Sequence, residues 1–228
     1  MFSEVLDKLD QNNTEAIFYR AVSYLDQGNL QQAISDLWRV IEARATDAPT
    51  QIEQCQQAYI LLSIAHKRLG ESQNALQDLQ LCIEVFPRYT DAYLARGQTL
   101  LLQEDFSEAL SDFQKFIQLS KSPFSGYLGV GDCHKAKKNY AEATTAYSKA
   151  IALLPNQVSK PNYEQLYQKC YLKRGLSGYH EGKHAQALAD LQCVIKKDAS
   201  NVKAHYYIGK LLARGIENAH SQQTDAIL

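Results

Sequence analysis

Apolar positions along this chain fall into pairs of helical stretches joined by short polar turns. The same phrase recurs five times: Gly28-Asn29-Leu30-Gln31-Gln32-Ala33, Gly70-Glu71-Ser72-Gln73-Asn74-Ala75, Glu104-Asp105-Phe106-Ser107-Glu108-Ala109, Lys138-Asn139-Tyr140-Ala141-Glu142-Ala143 and Gly182-Lys183-His184-Ala185-Gln186-Ala187. Each is a polar turn that leads into a new helix. Four residues after each alanine stands a large apolar residue (Leu37, Leu79, Phe113, Tyr147, Leu191). Seven after it come Val40, Cys82, Phe116, Ala150 and Val194. Steps of four and three keep one face of this second helix apolar. Twelve residues before each alanine lies a small residue (Ala21, Ser63, Gly97, Gly131, Gly175), where a first helix can approach the second closely. Pro87 and Pro155 mark where second helices stop.

The alanines Ala75, Ala109 and Ala143 are 34 residues apart. The steps from Ala33 to Ala75 and from Ala143 to Ala187 carry insertions of 8 and 10 residues. This period and these landmarks resemble the tetratricopeptide-repeat family. The resemblance implies an all-α fold, a right-handed α-solenoid of antiparallel helix hairpins. Repeats are expected near 14–47, 56–89, 90–123, 124–157 and 168–201, with a partial sixth over 202–228 whose first helix covers 202–213. Phe2, Val5, Leu6 and Leu9 predict a capping or partial helix over 1–13. Each insertion lengthens a loop or a helix end, and Pro155 and Pro161 place a loop before a long first helix. No polar outer cap is visible after residue 213, so the sequence reads as part of a longer polypeptide.

Arg20, Arg96 and Arg174 each precede the small residue, and Asp36, Asp112 and Asp190 follow them by sixteen positions. Repeat four has Val130 and Ala146 there and so lacks both partners; repeat two has Leu62 but keeps Asp78. The co-occurrence predicts an Arg–carboxylate bridge between the two helices of one hairpin.

The family resemblance places partner binding on the concave wall made by the first helices. Three residues before the small position this wall carries Phe18, Ile60, Leu94, Leu128, Leu172 and Tyr206, all apolar. Other wall positions are Val22, Ile64, Gln98, Asp132, Leu176, Tyr179 and Lys210. An apolar ribbon of this kind marks a binding surface when it is exposed. Charge is uneven along the chain. Residues 1–159 hold 14 Lys+Arg against 19 Asp+Glu, and residues 160–215 hold 10 against 4. Lys169, Lys173, Lys203 and Lys210 therefore predict a partner with an acidic segment toward that end. The family's chaperone-binding members hold a terminal carboxylate with Lys and Asn side chains. The corresponding positions here are Phe18, Val22, Leu61, Asp91 and Ala95, which cannot form that clamp.

The remaining chemistry is sparse. A net charge of −1 gives no general attraction to nucleic acid or anionic membrane, and no apolar run reaches a membrane-spanning length. Five cysteines, an odd number without CxxC spacing, predict free thiols and a reducing, cytoplasmic setting, with cilium or cytoskeleton as further options. His180 and His184 are four apart, but Gly182 and a turn lie between them. His66 and His134 share a repeat position and read as packed histidines, while Cys133-His134 points its two side chains apart. Phosphate-binding, dinucleotide-binding and hydrolase motifs are absent. The expectation is a non-catalytic protein–protein interaction scaffold without metal or cofactor. The alternatives are a structural subunit of a large permanent assembly, such as a ciliary or cytoskeletal one, or a targeting module of a longer multidomain protein.

Overall fold

The computed structural model describes residues 13–43, 49–157 and 161–225, without the side chains of residues 156, 157 and 216–225. The expected capping segment over 1–13 lies outside the described residues, except for Asn13. The described α-helices are α1 (Thr14–Gln27), α2 (Leu30–Glu42), α3 (Pro49–Arg68), α4 (Ser72–Val85), α5 (Thr90–Leu102), α6 (Phe106–Leu119), α7 (Phe124–Ala136), α8 (Tyr140–Ala152), α9 (Tyr163–Glu181), α10 (His184–Lys197) and α11 (Val202–Asp225). A short 3₁₀ turn, Leu154–Gln157, follows α8. The chain divides into two compact units, residues 1–120 and 121–228. Odd-numbered helices are the first helices of hairpins and even-numbered ones the second.

The recurring turn phrase has a backbone cause. Its first residue takes positive φ in all five hairpins: Gly28 (80°), Gly70 (79°), Glu104 (66°), Lys138 (62°) and Gly182 (92°). The next residue's N–H closes back on the first helix, as in Asn29 to Tyr24 O (2.8 Å), Glu71 to His66 O (2.8 Å) and Asp105 to Leu100 O (3.0 Å). Left-handed geometry at this position satisfies carbonyls that a helix end otherwise leaves open. Three glycines meet it without steric cost, whereas Glu104 and Lys138 adopt it with a side chain. The start of α1 is fixed by Asn13, whose Oδ1 accepts from the Ala16 N–H at 3.2 Å.

The two insertions go largely into helix. α3 has 20 residues and α9 has 19, against 13 for α5 and α7. Both long helices begin upstream of the expected repeat starts at 56 and 168, and Pro49 opens α3 at a position a helix tolerates. The sixth first helix also differs from expectation, since α11 runs unbroken to Asp225 and does not end near 213.

Among the described residues, two apolar cores lie in unit 1. Ala21, Leu37, Val40, Leu62 and Ala65 join α1, α2 and α3, and Cys55, Tyr59, Cys82, Phe86 and Ala92 join α3, α4 and α5. In unit 2, Phe124, Leu128, Tyr147, Leu154 and Cys170 form one core, and Leu191, Val194, Ala204 and Leu211 another. The repeated large residue of each second helix is fully buried at all five positions: Leu37, Leu79, Phe113, Tyr147 and Leu191. Each such side chain contributes roughly 1.5–3 kcal/mol of burial. The small residues opposite leave the room they need. A Cβ on Gly97 would stand 3.0 Å from Phe113 Cε1, and one on Gly175 would stand 3.0 Å from Leu191 Cγ.

Candidate partner-binding surface

The first helices can present a stable face only if something fixes their roll against the second helices. Three hairpins use the Arg–Asp bridge that the spacing predicts. Arg20 Nε and Nη2 donate to Asp36 at 2.7 and 2.8 Å, Arg96 to Asp112 at 2.8 and 2.7 Å, and Arg174 to Asp190 at 2.8 and 2.7 Å. Each is a two-point contact between a planar guanidinium and a buried carboxylate, which fixes orientation as well as distance. The hydrogen bond to Asp112 holds the Arg96 guanidinium above its ordinary pKa despite burial, and Asp190 does the same for Arg174.

Hairpin two replaces the arginine with a histidine. His66 is buried, and its Nδ1 lies 2.6 Å from Asp78 Oδ2, with Nε2 3.8 Å from Glu71. His66 is therefore a lock as well as a packing residue. Burial raises the Asp78 pKa and outweighs the histidine's pull in the other direction. His134, in the same repeat position, is half-buried and its Nδ1 has no hydrogen-bond partner.

Hairpin four, which lacks the Arg–Asp pair, is tied through its second helix's large residue. The Tyr147 hydroxyl donates to Asp132 Oδ1 at 2.7 Å, and Lys173 of α9 pairs with the same oxygen. Burial depresses the Lys173 pKa; Asp132 opposes that shift, and Lys135 and Lys169 add to it. Burial also holds the Tyr147 phenol far above its usual range, so it remains a donor.

Against these locks, the predicted wall is uneven. Phe18 and Leu128 are only 6% and 7% exposed and belong to the cores of their units, so they offer little contact surface and are removed from the candidate ribbon. Phe18 lies in a core shared with α2 and α3, and Leu128 in one shared with α8 and α9. Val22, Ile60, Ile64, Leu94, Leu172, Leu176 and Tyr179 are half-buried. Gln98, Lys169, Lys203, Tyr206 and Lys210 are exposed, and Asp132 and Lys173 are committed to each other. Lys210 Nζ lies over the Tyr206 ring at 4.7 Å, and the Arg214 guanidinium lies over Tyr179 at 5.2 Å. Sequence reasoning missed Leu102, which is 80% exposed at the end of α5 and lies one residue past the position used to define the wall.

Other chemistry is muted among the described residues. No group of three or more His, Cys, Asp or Glu is placed to hold a metal, and no helix is long and apolar enough to cross a membrane. His180 stacks on Tyr140 with ring centres 4.9 Å apart. Burial pushes the Cys82, Cys133 and Cys170 thiols up to about 12, far from a nucleophile's range.

Comparisons with known proteins follow the same geometry. Tetratricopeptide-repeat models match residues 60–124 and 94–158, and a further one matches residues 15–43. The chain is 26% identical over 199 residues to DnaJ homolog subfamily C member 3 of Gallus gallus, an alignment that covers 82% of this chain and 36% of that protein. The chain thus spans about a third of the length of this curated relative. Among solved structures, pilF of Pseudomonas aeruginosa superposes with a TM-score of 0.70 at 17% identity, covering 92% of this chain and 87% of that one. MamA of Desulfovibrio magneticus RS-1 gives 0.64 at 16% identity, over 85% of this chain and 99% of that one. A thermophilic tetratricopeptide-repeat protein of Thermus thermophilus gives 0.58 at 14%, over 88% and 99%. At these identities the structural likeness concerns the fold. With the matching models covering more than half of its residues, the chain belongs to the tetratricopeptide-repeat family.

Proposed function

We propose that this chain is a non-catalytic interaction scaffold that holds a partner protein's segment against the first helices of its hairpins, and that the segment meeting unit 2 is acidic. Chains of this repeat family act as protein-interaction scaffolds. The observation that carries the finer reading is the lysine group on α7 and α9. Lys173 pairs with Asp132, and the charge on Lys173 is disfavoured mainly by burial, with Lys135 and Lys169 adding to it. An acidic segment would offset the part that the two lysines add. The half-buried Ile60, Ile64 and Leu94 in unit 1, and Leu172 and Leu176 in unit 2, supply apolar contact beside it.

Two measurements test this. Affinity purification with mass spectrometry compares the wild type with a Leu94→Glu/Leu172→Glu variant whose folding is confirmed by circular dichroism. Selective loss of partners supports the first-helix faces, and retention of the same partners refutes them. A labelled deca-glutamate peptide should bind the wild type in a salt-sensitive way. Lys135→Glu/Lys169→Glu should weaken it by about tenfold, roughly 1.4 kcal/mol. Equal binding by both proteins removes the acidic-segment reading.

A further inference from the structure

Helix α3 carries a half-buried lysine that no carboxylate holds. Lys67 lies seven residues after Ile60 and three after Ile64, so the three share one face of the helix. It stands in the register of Leu25 in α1 and Leu101 in α5, eight residues before the repeated alanine in each case. No ion pair or side-chain hydrogen bond engages it among the described residues. Burial lowers its pKa, and no neighbouring charge opposes that shift. Several charges on the adjoining elements are engaged elsewhere. Asp78 and Glu71 face His66, Asp36 is held by Arg20, and Arg68 donates to the Leu25 carbonyl at 2.7 Å. Glu15 and Asp26 of α1 and Asp91 of α5 form no ion pair with Lys67. Lys173 of α9 is the opposite case: burial lowers its pKa too, but Asp132 pairs with it and opposes the shift.

We infer that Lys67 is a nucleophilic amine and a site of acylation, with a small acyl thioester as the acyl donor. The unprotonated Nζ attacks the thioester carbonyl carbon and the C–S bond breaks. The nitrogen gives up a proton, and the departing sulfur leaves as the thiol. Two features of the site favour this step. An amine that is half-desolvated and has no carboxylate beside it is in its unprotonated, reactive form more often than a solvated lysine at the same pH. The surface around it is apolar: Ile60 and Ile64 share its face, and the adjoining α5 presents half-buried Leu94 and Leu101 and the 80% exposed Leu102, where an acyl group can rest. The product is an uncharged amide, so acylation removes the ammonium from a face whose register positions in α1 and α5 are leucines. This inference rests on α3 and its neighbours in unit 1 and does not depend on which partner those helices meet.

The test incubates the folded full chain with S-acetyl-N-acetylcysteamine, a small uncharged acetyl thioester, and follows each lysine by peptide mass spectrometry. Near neutral pH, Lys67 should be acetylated faster than the exposed Lys115 and Lys203 by about threefold or more. Lys173, buried and paired with Asp132, should react more slowly than either. The rate at Lys67 should rise with pH and level off at a lower pH than the rate of N-acetyl-lysine amide measured alongside. In denaturing urea, where burial is lost, its lead over Lys115 and Lys203 should disappear. Acetylation of Lys67 no faster than that of Lys115 and Lys203 overturns the inference. A lead that survives in urea assigns the reactivity to the local sequence and overturns it too. So does a lead with the pH profile of the free amine, because the thioester would then be responding to access alone.

Discussion

Hairpins three and four have the same period and nearly the same helix lengths, yet they are held in different ways. In hairpin three, Arg96 of α5 reaches across to Asp112 of α6, with side chains 22% and 5% exposed. The ion pair lies within the hairpin, and Arg96 Nη1 also donates to Gln80 of the preceding second helix. In hairpin four, Val130 and Ala146 occupy those two places, and the second helix contributes Tyr147, whose ring fills the interior and whose hydroxyl reaches Asp132. Lys173 then ties that carboxylate to the first helix of the following repeat. Both designs reach a neighbouring repeat, the first backward through Arg96 to Gln80 and the second forward through Asp132 to Lys173, and the second depends more on shape than on charge. A guanidinium–carboxylate pair tolerates small changes in packing, but a tyrosine ring wedged against glycine does not.

The largest expected effect separates the two designs by volume. A Cβ on Gly131 would lie 2.4 Å from Tyr147 Cε1, whereas one on Gly97 would lie 3.0 Å from Phe113 Cε1. Gly131→Ala should destabilise the protein by about 2–3 kcal/mol in chemical denaturation followed by circular dichroism, as overpacking of a closed core does. Gly97→Ala should cost about 1 kcal/mol or less, since helix propensity returns part of the steric loss. Tyr147→Leu in the Gly131→Ala background should recover most of the loss, because Leu37 and Leu191 fill the same position elsewhere. A Gly131→Ala variant as stable as Gly97→Ala would remove the shape-based account of hairpin four.

The next effect separates them by charge. Asp112→Asn leaves the partly buried Arg96 without its ionic partner and should cost about 2 kcal/mol, below the 3–5 kcal/mol of a fully buried pair because the guanidinium keeps some solvent. Asp132→Asn should cost about 1 kcal/mol, since an amide oxygen still accepts from Tyr147. Equal losses in the two variants would mean that both hairpins are held by charge.

Much of this was legible in the sequence because the locks come in pairs. Arg20, Arg96 and Arg174 occur with Asp36, Asp112 and Asp190 at a constant interval, and repeat four loses both, so the contact could be read without coordinates. The lock at Asp78 could not be read at that interval. His66 lies one helical turn beyond Leu62, which places it on the same helix face and brings its ring to the carboxylate. The turn phrase was legible as punctuation, but its left-handed first residue was obscured at Glu104 and Lys138, where no glycine marks it. Phe18 and Leu128 are buried in the cores of their units, which hairpin periodicity alone does not register. The sequence reading set the sixth first helix at 202–213, whereas α11 continues through Gly215 to Asp225.

The smallest expected effect concerns a thiol that hairpin four has and hairpin three lacks. Burial raises the Cys133 pKa from 9.0 in the unfolded chain to about 12, with Asp132 adding to the rise. A raised folded pKa means that the folded state retains its proton after the unfolded chain has lost it. The stabilisation is therefore fully present below about pH 9 and is lost as pH rises through about 12, with a slope near 1.4 kcal/mol per unit between those limits. Cys133→Ala removes this one proton along with a small amount of packing, worth about 1 kcal/mol at neutral pH. The stability gap between wild type and Cys133→Ala, measured by denaturation at about pH 8, 9 and 10, should be full at the first, begin to narrow at the second and change sign near the third. Groups that titrate in both proteins, Lys173 among them, cancel in that difference. A gap that stays constant across the series would mean that the thiol ionises alike in both states, and that the interior beside Gly131 and Tyr147 is open to water.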